Sequence, residues 1–174
     1  MAGSLRLKLD APDQIQYLDK IIQSAQSMFS GFGALVWSIQ SEPISCQDVH
    51  LEISDFGNKL FDASPISFKA SIEKGVVRYM YNTSVRDVTL SVKELITNAL
   101  KHSQAKHITV DFTVLQDTLH IKVSDDGSGF SLTKIQSSGG LVNLKKRSER
   151  SDFAYTIESS KGSTFSLSIP IEHV

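Results

Sequence analysis

One long amphipathic helix is the strongest pattern in this chain, and we predict it over about residues 84–102. At about 100° per residue, its apolar side chains fall into one arc, which consists of Val85, Val88, Val92, Leu95, Ile96, Ala99 and Leu100. The opposite arc carries Glu94, Asn98, Lys101 and His102. One face must therefore pack against a core, while the other gathers four polar groups within about two turns.

These polar groups admit two interpretations. They can form a site, since a carboxylate can act as a base, an amide oxygen can bind Mg2+, and cations can contact phosphate. They also fit the solvated face that a surface helix shows opposite its apolar stripe.

Other helix and strand patterns surround this helix. The sequence predicts a helix over 45–61, a strand over 66–72, strands over 108–114 and 119–123, a helix over 141–150, and closing strands over 154–159 and 164–169. Residues 76–81 fit a strand and a loop equally well. This order predicts an α/β (α+β) two-layer sandwich with a mixed sheet.

A further long helix is predicted before the sandwich. Its apolar residues recur in steps of four and three, at Leu18, Ile22, Ala25, Phe29, Phe32, Val36 and Ile39. The seam fits a helix folded back on its own domain and half of a bundle between subunits equally well. Pro43 ends it.

The composition limits the partners and the compartment. Lys and Arg number 18 against 19 Asp and Glu, for a net charge of -1, so we expect no nucleic-acid partner. The lone Cys46 cannot form an internal disulfide, and no apolar window approaches the length of a membrane span. The first four residues look like a cloning scar. We expect a cytoplasmic segment of a longer chain, with membrane contact only through segments outside it.

Three glycine-containing motifs follow the strong helix. Asp125-x-Gly127-x-Gly129 comes at a strand end, where a carboxylate can accept a hydrogen bond from an adenine amine. Ser138-Gly139-Gly140-Leu141 opens a helix, whose free N–H groups favour phosphate. Gly162-Ser163-Thr164 begins the last strand. Each motif alone also fits an ordinary turn.

The order and spacing of these motifs resemble the N, G1 and G2 boxes of the GHKL ATPases. The segment 93–103, Lys-Glu-Leu-Ile-Thr-Asn-Ala-Leu-Lys-His-Ser, resembles the N box of sensor histidine kinases of the nitrate-sensor and thermosensor type. About nine residues separate Gly129 from Gly139, which is similar to the short ATP lid of that subgroup. Residues 18–39 resemble the second helix of the kinase dimerisation hairpin.

The resemblance implies a division of the chain and a fold. Residues 1–12 would be scar and linker, 13–42 the C-terminal part of the dimerisation and phosphoacceptor region, and 43–174 the ATP-binding catalytic domain. The fold would be the Bergerat sandwich, with helices on one face of the mixed sheet. The function would be transfer of the ATP γ-phosphoryl group to a histidine, for relay to a response regulator.

The resemblance also implies roles for single residues. Glu94 would be the catalytic base or positioner, and Asn98 would bind Mg2+ and ATP. Asp125 would bind the adenine amine. The remaining ATP contacts would be Lys101, His102, Gly127, Gly129, Gly140, Leu141 and Thr164. The cofactors would be ATP and Mg2+.

Three departures from the family pattern bear on activity. Ser138 and Ser163 stand where the family has glycine, and each places a Cβ near the expected phosphate path. Arg147, by contrast, matches a basic position after the lid, and we expect it to be structural rather than catalytic. The third departure is the absence of an acceptor histidine. No histidine lies on a helix before Pro12. The chain would therefore act on an acceptor helix supplied separately by the same kinase, and would dimerise through its N-terminal helix.

Two alternatives stay open. One is a non-catalytic module of the same fold that senses nucleotide or dimerises, which Ser138 and Ser163 would suit. The other is a serine-directed switch kinase of the anti-sigma type, which shares the boxes but does not require the long helical seam.

Overall fold

The computed structural model describes residues 44–73, 78–80, 82–130 and 139–171. All of these residues lie in one compact unit, Ser41–Val174. The long helix that we predict before Pro43 and the substituted position Ser138 lie outside the described residues. The proposed division of the chain at 12 and 42 therefore stays a prediction.

The described residues form short strands, long strands and three helices. In chain order these are β1 (Ile44–Ser45), α1 (Cys46–Phe61), β2 (Ser67–Ile72), β3 (Tyr79–Met80), α2 (Asn82–His102), β4 (His107–Leu115), β5 (Thr118–Asp125), α3 (Gly139–Arg150), β6 (Ala154–Ser160) and β7 (Gly162–Pro170). The strong amphipathic helix is confirmed as α2. The ambiguous segment 76–81 contains the two-residue strand β3.

The sheet has five strands in the order β2-β4-β5-β7-β6. β2 runs parallel to β4, and the other neighbouring strands are antiparallel. β1 and β3 form a separate antiparallel pair. The sheet is mixed and carries its helices on one face, so the predicted two-layer α/β sandwich is confirmed.

The core lies between the helices and one face of the sheet. Alternate residues of β4 and β5 are buried there, each no more than 3% exposed: Ile108, Val110, Phe112, Leu119, Ile121 and Val123. On the helix side, Val85, Val88, Val92 and Ile96 of α2 are 0% exposed. The period of two in the strands and the single arc of α2 therefore meet in one apolar layer.

Local hydrogen bonds set where α1 begins and α2 ends. Ser45 caps α1 by accepting a hydrogen bond from the N–H of Asp48, whose carboxylate accepts one from the N–H of Ser45. At the end of α2, the Ser103 hydroxyl donates to the carbonyl of Ala99 over 2.6 Å. Gln104 then takes a positive φ of 58°, which turns the chain into β4.

A buried carboxylate joins α2 to α3. Asp87 is 1% exposed and accepts hydrogen bonds from Nε and Nη2 of Arg150 and from the hydroxyl of Ser151. Burial alone would raise the pKa of Asp87, but these hydrogen bonds outweigh it and hold the pKa below its ordinary value. The two helices are therefore fixed to each other near the start of α2 and the end of α3.

Among the described residues, no helix combines the length and the apolar character that a membrane crossing needs.

Candidate functional site

The polar arc of α2 runs from a half-buried part to an exposed end. Glu94 and Asn98 are half-buried, whereas Lys101 and His102 in the last turn are exposed. The helix thus presents a carboxylate and an amide inside the site and two cationic side chains at its rim. This gradient suits a ligand that enters from the C-terminal end of α2.

Glu94 already has a partner across the α2–α3 interface. Nη1 of Arg147 lies 2.7 Å from Oε2 of Glu94, and the two side chains are 20% and 26% exposed. No described residue donates a hydrogen bond to Oε1 of Glu94. The sequence showed Arg147 only as a basic residue of α3, because nothing local indicates a partner 53 positions away.

Asp125 lies at the end of β5 on the face that the helices cover. Its Cα is paired with Ile108 in β4 and with Ser163 in β7. Its Oδ1 accepts the N–H of Gly127 over 2.9 Å, while Oδ2 accepts no hydrogen bond from the described residues. One carboxylate oxygen therefore fixes the loop, and the other remains available to a donor on a ligand.

The glycines after Asp125 pack against the protein's own backbone. A Cβ at Gly127 would lie 2.1 Å from the carbonyl oxygen of Ser103. Gly129 has a φ of +66°, and a Cβ there would lie 2.9 Å from the carbonyl oxygen of Gly162. Both residues hold the loop against the end of α2 and the β6–β7 turn. Their expected role in shaping a ligand pocket stays a prediction.

Ser163 and Thr164 lie on opposite faces of the sheet. Ser163 is 5% exposed and pairs with Asp125 on the helix-covered face. The Thr164 hydroxyl lies 3.1 Å from that of Ser124, on the other face. The structure therefore brings Ser163, and not the side chain of Thr164, beside Asp125. Counting back by twos from buried Leu167 would have indicated this from the sequence.

The start of α3 supplies Gly140 and the half-buried Leu141. Arg150 contacts Asp87 and Arg147 contacts Glu94, so α3 runs antiparallel to α2. The first turn of α3 is consequently directed toward the end of α2 that carries Lys101 and His102. Free N–H groups of a helix start and two cationic side chains form a suitable environment for phosphate.

A second carboxylate holds the Asp125 loop from outside. Oδ1 of Asp126 accepts the N–H groups of Lys106 and His107, each over 2.8 Å. Its Oδ2 lies 2.8 Å from Nδ1 of His107. The hydrogen bond with the His107 side chain, followed by those with the backbone, lowers the pKa of Asp126 to about 2. Asp126 therefore stays ionised and anchors the loop, a role that the sequence did not indicate.

The described residues contain no group of three or more His, Cys, Asp or Glu that could hold a metal. A Mg2+ ion that arrives with a nucleotide needs fewer protein ligands, because Mg2+ is commonly bound by one or two side chains together with substrate phosphates. The half-buried amide of Asn98 fits that requirement.

Known proteins share sequence patterns and the fold with this chain. The profile of the family described as "Histidine kinase-, DNA gyrase B-, and HSP90-like ATPase" matches residues 83–173. The sensor protein VraS of Staphylococcus haemolyticus is 29% identical over 150 residues, which cover 80% of this chain and 39% of VraS. The sensor histidine kinase DesK of Bacillus subtilis is 34% identical over 84 residues, or 48% of this chain and 23% of DesK. The chain thus spans less than half the length of these relatives.

Solved structures show the same fold. The blue-light activated histidine kinase of Erythrobacter litoralis EL346 superposes with a TM-score of 0.67 at 17% identity, over 90% of this chain and 59% of that one. The catalytic domain of the histidine kinase ThkA superposes with a TM-score of 0.63 at 14% identity, over 76% of this chain and 96% of that one.

Proposed function

Because this chain belongs to the histidine kinase-, DNA gyrase B- and HSP90-like ATPase family, we propose that it is the ATP-binding catalytic part of a sensor histidine kinase. In this proposal it transfers the γ-phosphoryl group of ATP to a histidine on a separate acceptor helix. The observation that carries the proposal is the position of Asp125, at a strand end beside Ser163 and with one carboxylate oxygen available to a ligand.

The nucleotide would lie between the end of β5 and the end of α2. Oδ2 of Asp125 would accept a hydrogen bond from the adenine amine, with Ser163 beside it. Lys101, His102 and the first turn of α3 at Gly140 and Leu141 would hold the phosphates. This leaves Thr164 on the far side of β7, where only its backbone lies near the site.

Asn98 would supply the protein ligand to Mg2+. A bound Mg2+ ion would neutralise the charge that develops on the phosphates. Glu94 would act on the acceptor imidazole, as a base or as a group that orients it. The N–P bond to the histidine would form as the bond from the γ-phosphorus to the ADP oxygen breaks. Such a reaction requires chiefly positioning and charge neutralisation from the protein.

The wider context of the proposal follows from the relatives. As part of a sensor kinase, the chain would act with the phosphoacceptor helix of the same kinase and with a response regulator. It would dimerise through the N-terminal helix and work in the bacterial cytoplasm, attached to a membrane only through other segments.

Nucleotide binding is the first test. A fluorescent ATP analogue should bind in a Mg2+-dependent manner. Asp125→Asn should abolish most of the binding, because the amide oxygen would keep the hydrogen bond from the N–H of Gly127 and the NH2 group in place of Oδ2 cannot accept a hydrogen bond from the adenine amine. Asp55→Asn removes an exposed carboxylate on α1 and is the matched control. Equal binding by both variants, or none by the unmodified chain, would contradict the proposal.

Transfer is the second test. The chain is mixed with radiolabelled ATP and a dimerisation fragment that carries an acceptor histidine. Acid-labile label on the fragment is the expected result. Binding without transfer would favour the non-catalytic module, and acid-stable label would favour a serine-directed kinase.

A further inference from the structure

Arg147 is the one described residue that binds the carboxylate of Glu94. We propose that Arg147 is a positioning residue for phosphoryl transfer, which fixes the orientation of Glu94 and balances its charge. The inference rests on the proposed function, since it assigns Arg147 a part in the same reaction. It goes beyond the expectation from the sequence, which was that Arg147 is structural rather than catalytic.

The geometry separates the two oxygens of Glu94. Oε2 accepts a hydrogen bond of 2.7 Å from Nη1 of Arg147. Oε1 accepts none from the described residues. A charge-assisted hydrogen bond of this length restricts rotation of the carboxylate. Oε1 is therefore presented in a fixed direction, as a group that must meet an imidazole requires.

The charges also favour this pairing. Glu94 lies on the same face of α2 as Asn98, Lys101 and His102, where the anionic triphosphate would bind. An uncompensated carboxylate there would repel the nucleotide, and the pair is only about one-quarter exposed, so water screens it weakly. Arg147 supplies the compensating charge from α3 without occupying the position of Oε1.

A purely structural ion pair between α2 and α3 already exists elsewhere. Asp87 lies two turns earlier on α2 and is 1% exposed. Its carboxylate accepts hydrogen bonds from the side chains of Arg150 and Ser151. Arg150 lies three positions after Arg147 on the same helix. Docking of the helices therefore has its own anchor, and Arg150 is a matched control for loss of an interhelical arginine.

The experiment compares Arg147→Ala, Arg147→Lys and Arg150→Ala in transfer to the acceptor fragment, with kcat and the KM for ATP measured separately. We expect Arg147→Ala to lower kcat about 10- to 100-fold. The KM for ATP should rise by a smaller factor, about three- to tenfold, because the Glu94 carboxylate is then uncompensated. Arg147→Lys should recover most of the rate, because an ammonium also donates to Oε2. Arg150→Ala should lower thermal stability and leave kcat within about twofold.

A double-mutant cycle shows whether Arg147 acts on the reaction through Glu94. Tm is measured for the same variants, and coupling in kcat that exceeds the coupling in Tm separates positioning of Glu94 from helix docking. In a Glu94→Gln background, Arg147→Ala should cause little further loss of kcat, because its target is gone. Arg147→Gln replaces Arg147→Ala if the latter does not fold.

The outcomes distinguish this inference from the proposed function. An equal fall of kcat in Arg147→Ala and Arg150→Ala, additive losses with Glu94→Gln, or a faster reaction without Arg147 would overturn the inference alone. Absence of nucleotide binding and transfer by the unmodified chain would overturn both.

Discussion

Ser163 and Thr164 are neighbours in β7, but their side chains lie on opposite faces of the sheet. We therefore expect them to affect nucleotide binding unequally. Ser163→Val should weaken binding of the ATP analogue about tenfold, or about 1.4 kcal/mol, because it adds bulk beside Asp125. Thr164→Val loses only the contact with Ser124 and should leave affinity within about twofold. Fluorescence titration of both variants measures the difference. A larger effect of the Thr164 change would show that the register does not decide the contact.

Gly162 is the residue on which the turn before β7 depends. Its φ is +89°, and an added Cβ would lie 2.1 Å from the carbonyl oxygen of Asp125. Gly162→Ala should therefore lower the free energy of unfolding by about 3 kcal/mol. Denaturant unfolding measures this. Lys161→Ala, at the exposed neighbouring position, should change stability by less than about 0.5 kcal/mol; a similar loss in both would exclude a special role for the glycine.

At the residue scale, the sequence indicated which side chains are candidates for the site better than it indicated where those side chains lie and what they contact. Glu94 and Asp125 were recognised as candidates because their chemistry and spacing are local. Thr164 was named as an ATP contact by matching a motif, and Ser163 as a departure from that motif. The strand register places the Ser163 side chain beside Asp125, as the alternation along β7 also indicates. Arg147 could not be assigned a partner, because an ion pair between helices depends on packing of distant segments.

At the scale of the element, α2 and α3 are joined by a buried charge whose protonation can be tested. The pKa of Asp87 is lowered below its ordinary value of 3.8 when the chain is folded. Its ion pair therefore contributes stability that is present above pH 3.8 and is lost as the pH falls through the folded-state pKa.

Asp87→Asn should lower the free energy of unfolding by about 2 kcal/mol at pH 7, since hydrogen bonds to a charged group are lost. The difference from the unmodified chain should shrink as the pH falls below 3.8. Urea unfolding over this pH range is the measurement. An unchanged difference at low pH would mean that shape, rather than charge, makes Asp87 important.

Long elements were predictable, and short ones were not. The arc of apolar residues gave α2 within two residues of its start, because a helix of this length repeats its pattern five times over. β1 and β3 have two residues each, which is too short for any alternation to be recognised. They form only because distant parts of the chain pair with each other.

At the scale of the whole molecule, the order of helices and strands was sufficient to predict a mixed sheet covered by helices. It did not determine the strand order β2-β4-β5-β7-β6, because each pairing depends on contacts beyond the neighbouring segment. That order places the ends of β5 and β7 beside each other at Asp125 and Ser163. The site is therefore a consequence of topology as much as of motif.

Binding at that site should stabilise the fold as a whole. A nucleotide that binds only the folded chain, at about 100 times its Kd, raises the free energy of unfolding by about 2.7 kcal/mol. We expect Mg2+ and ATP to raise the Tm of the unmodified chain and to lose this effect in Asp125→Asn. Glu94→Gln should keep the shift, because Glu94 is proposed to act on the acceptor and not on the nucleotide. Thermal unfolding with and without a chelator separates the metal contribution, and loss of the shift in Glu94→Gln would place Glu94 in nucleotide binding instead.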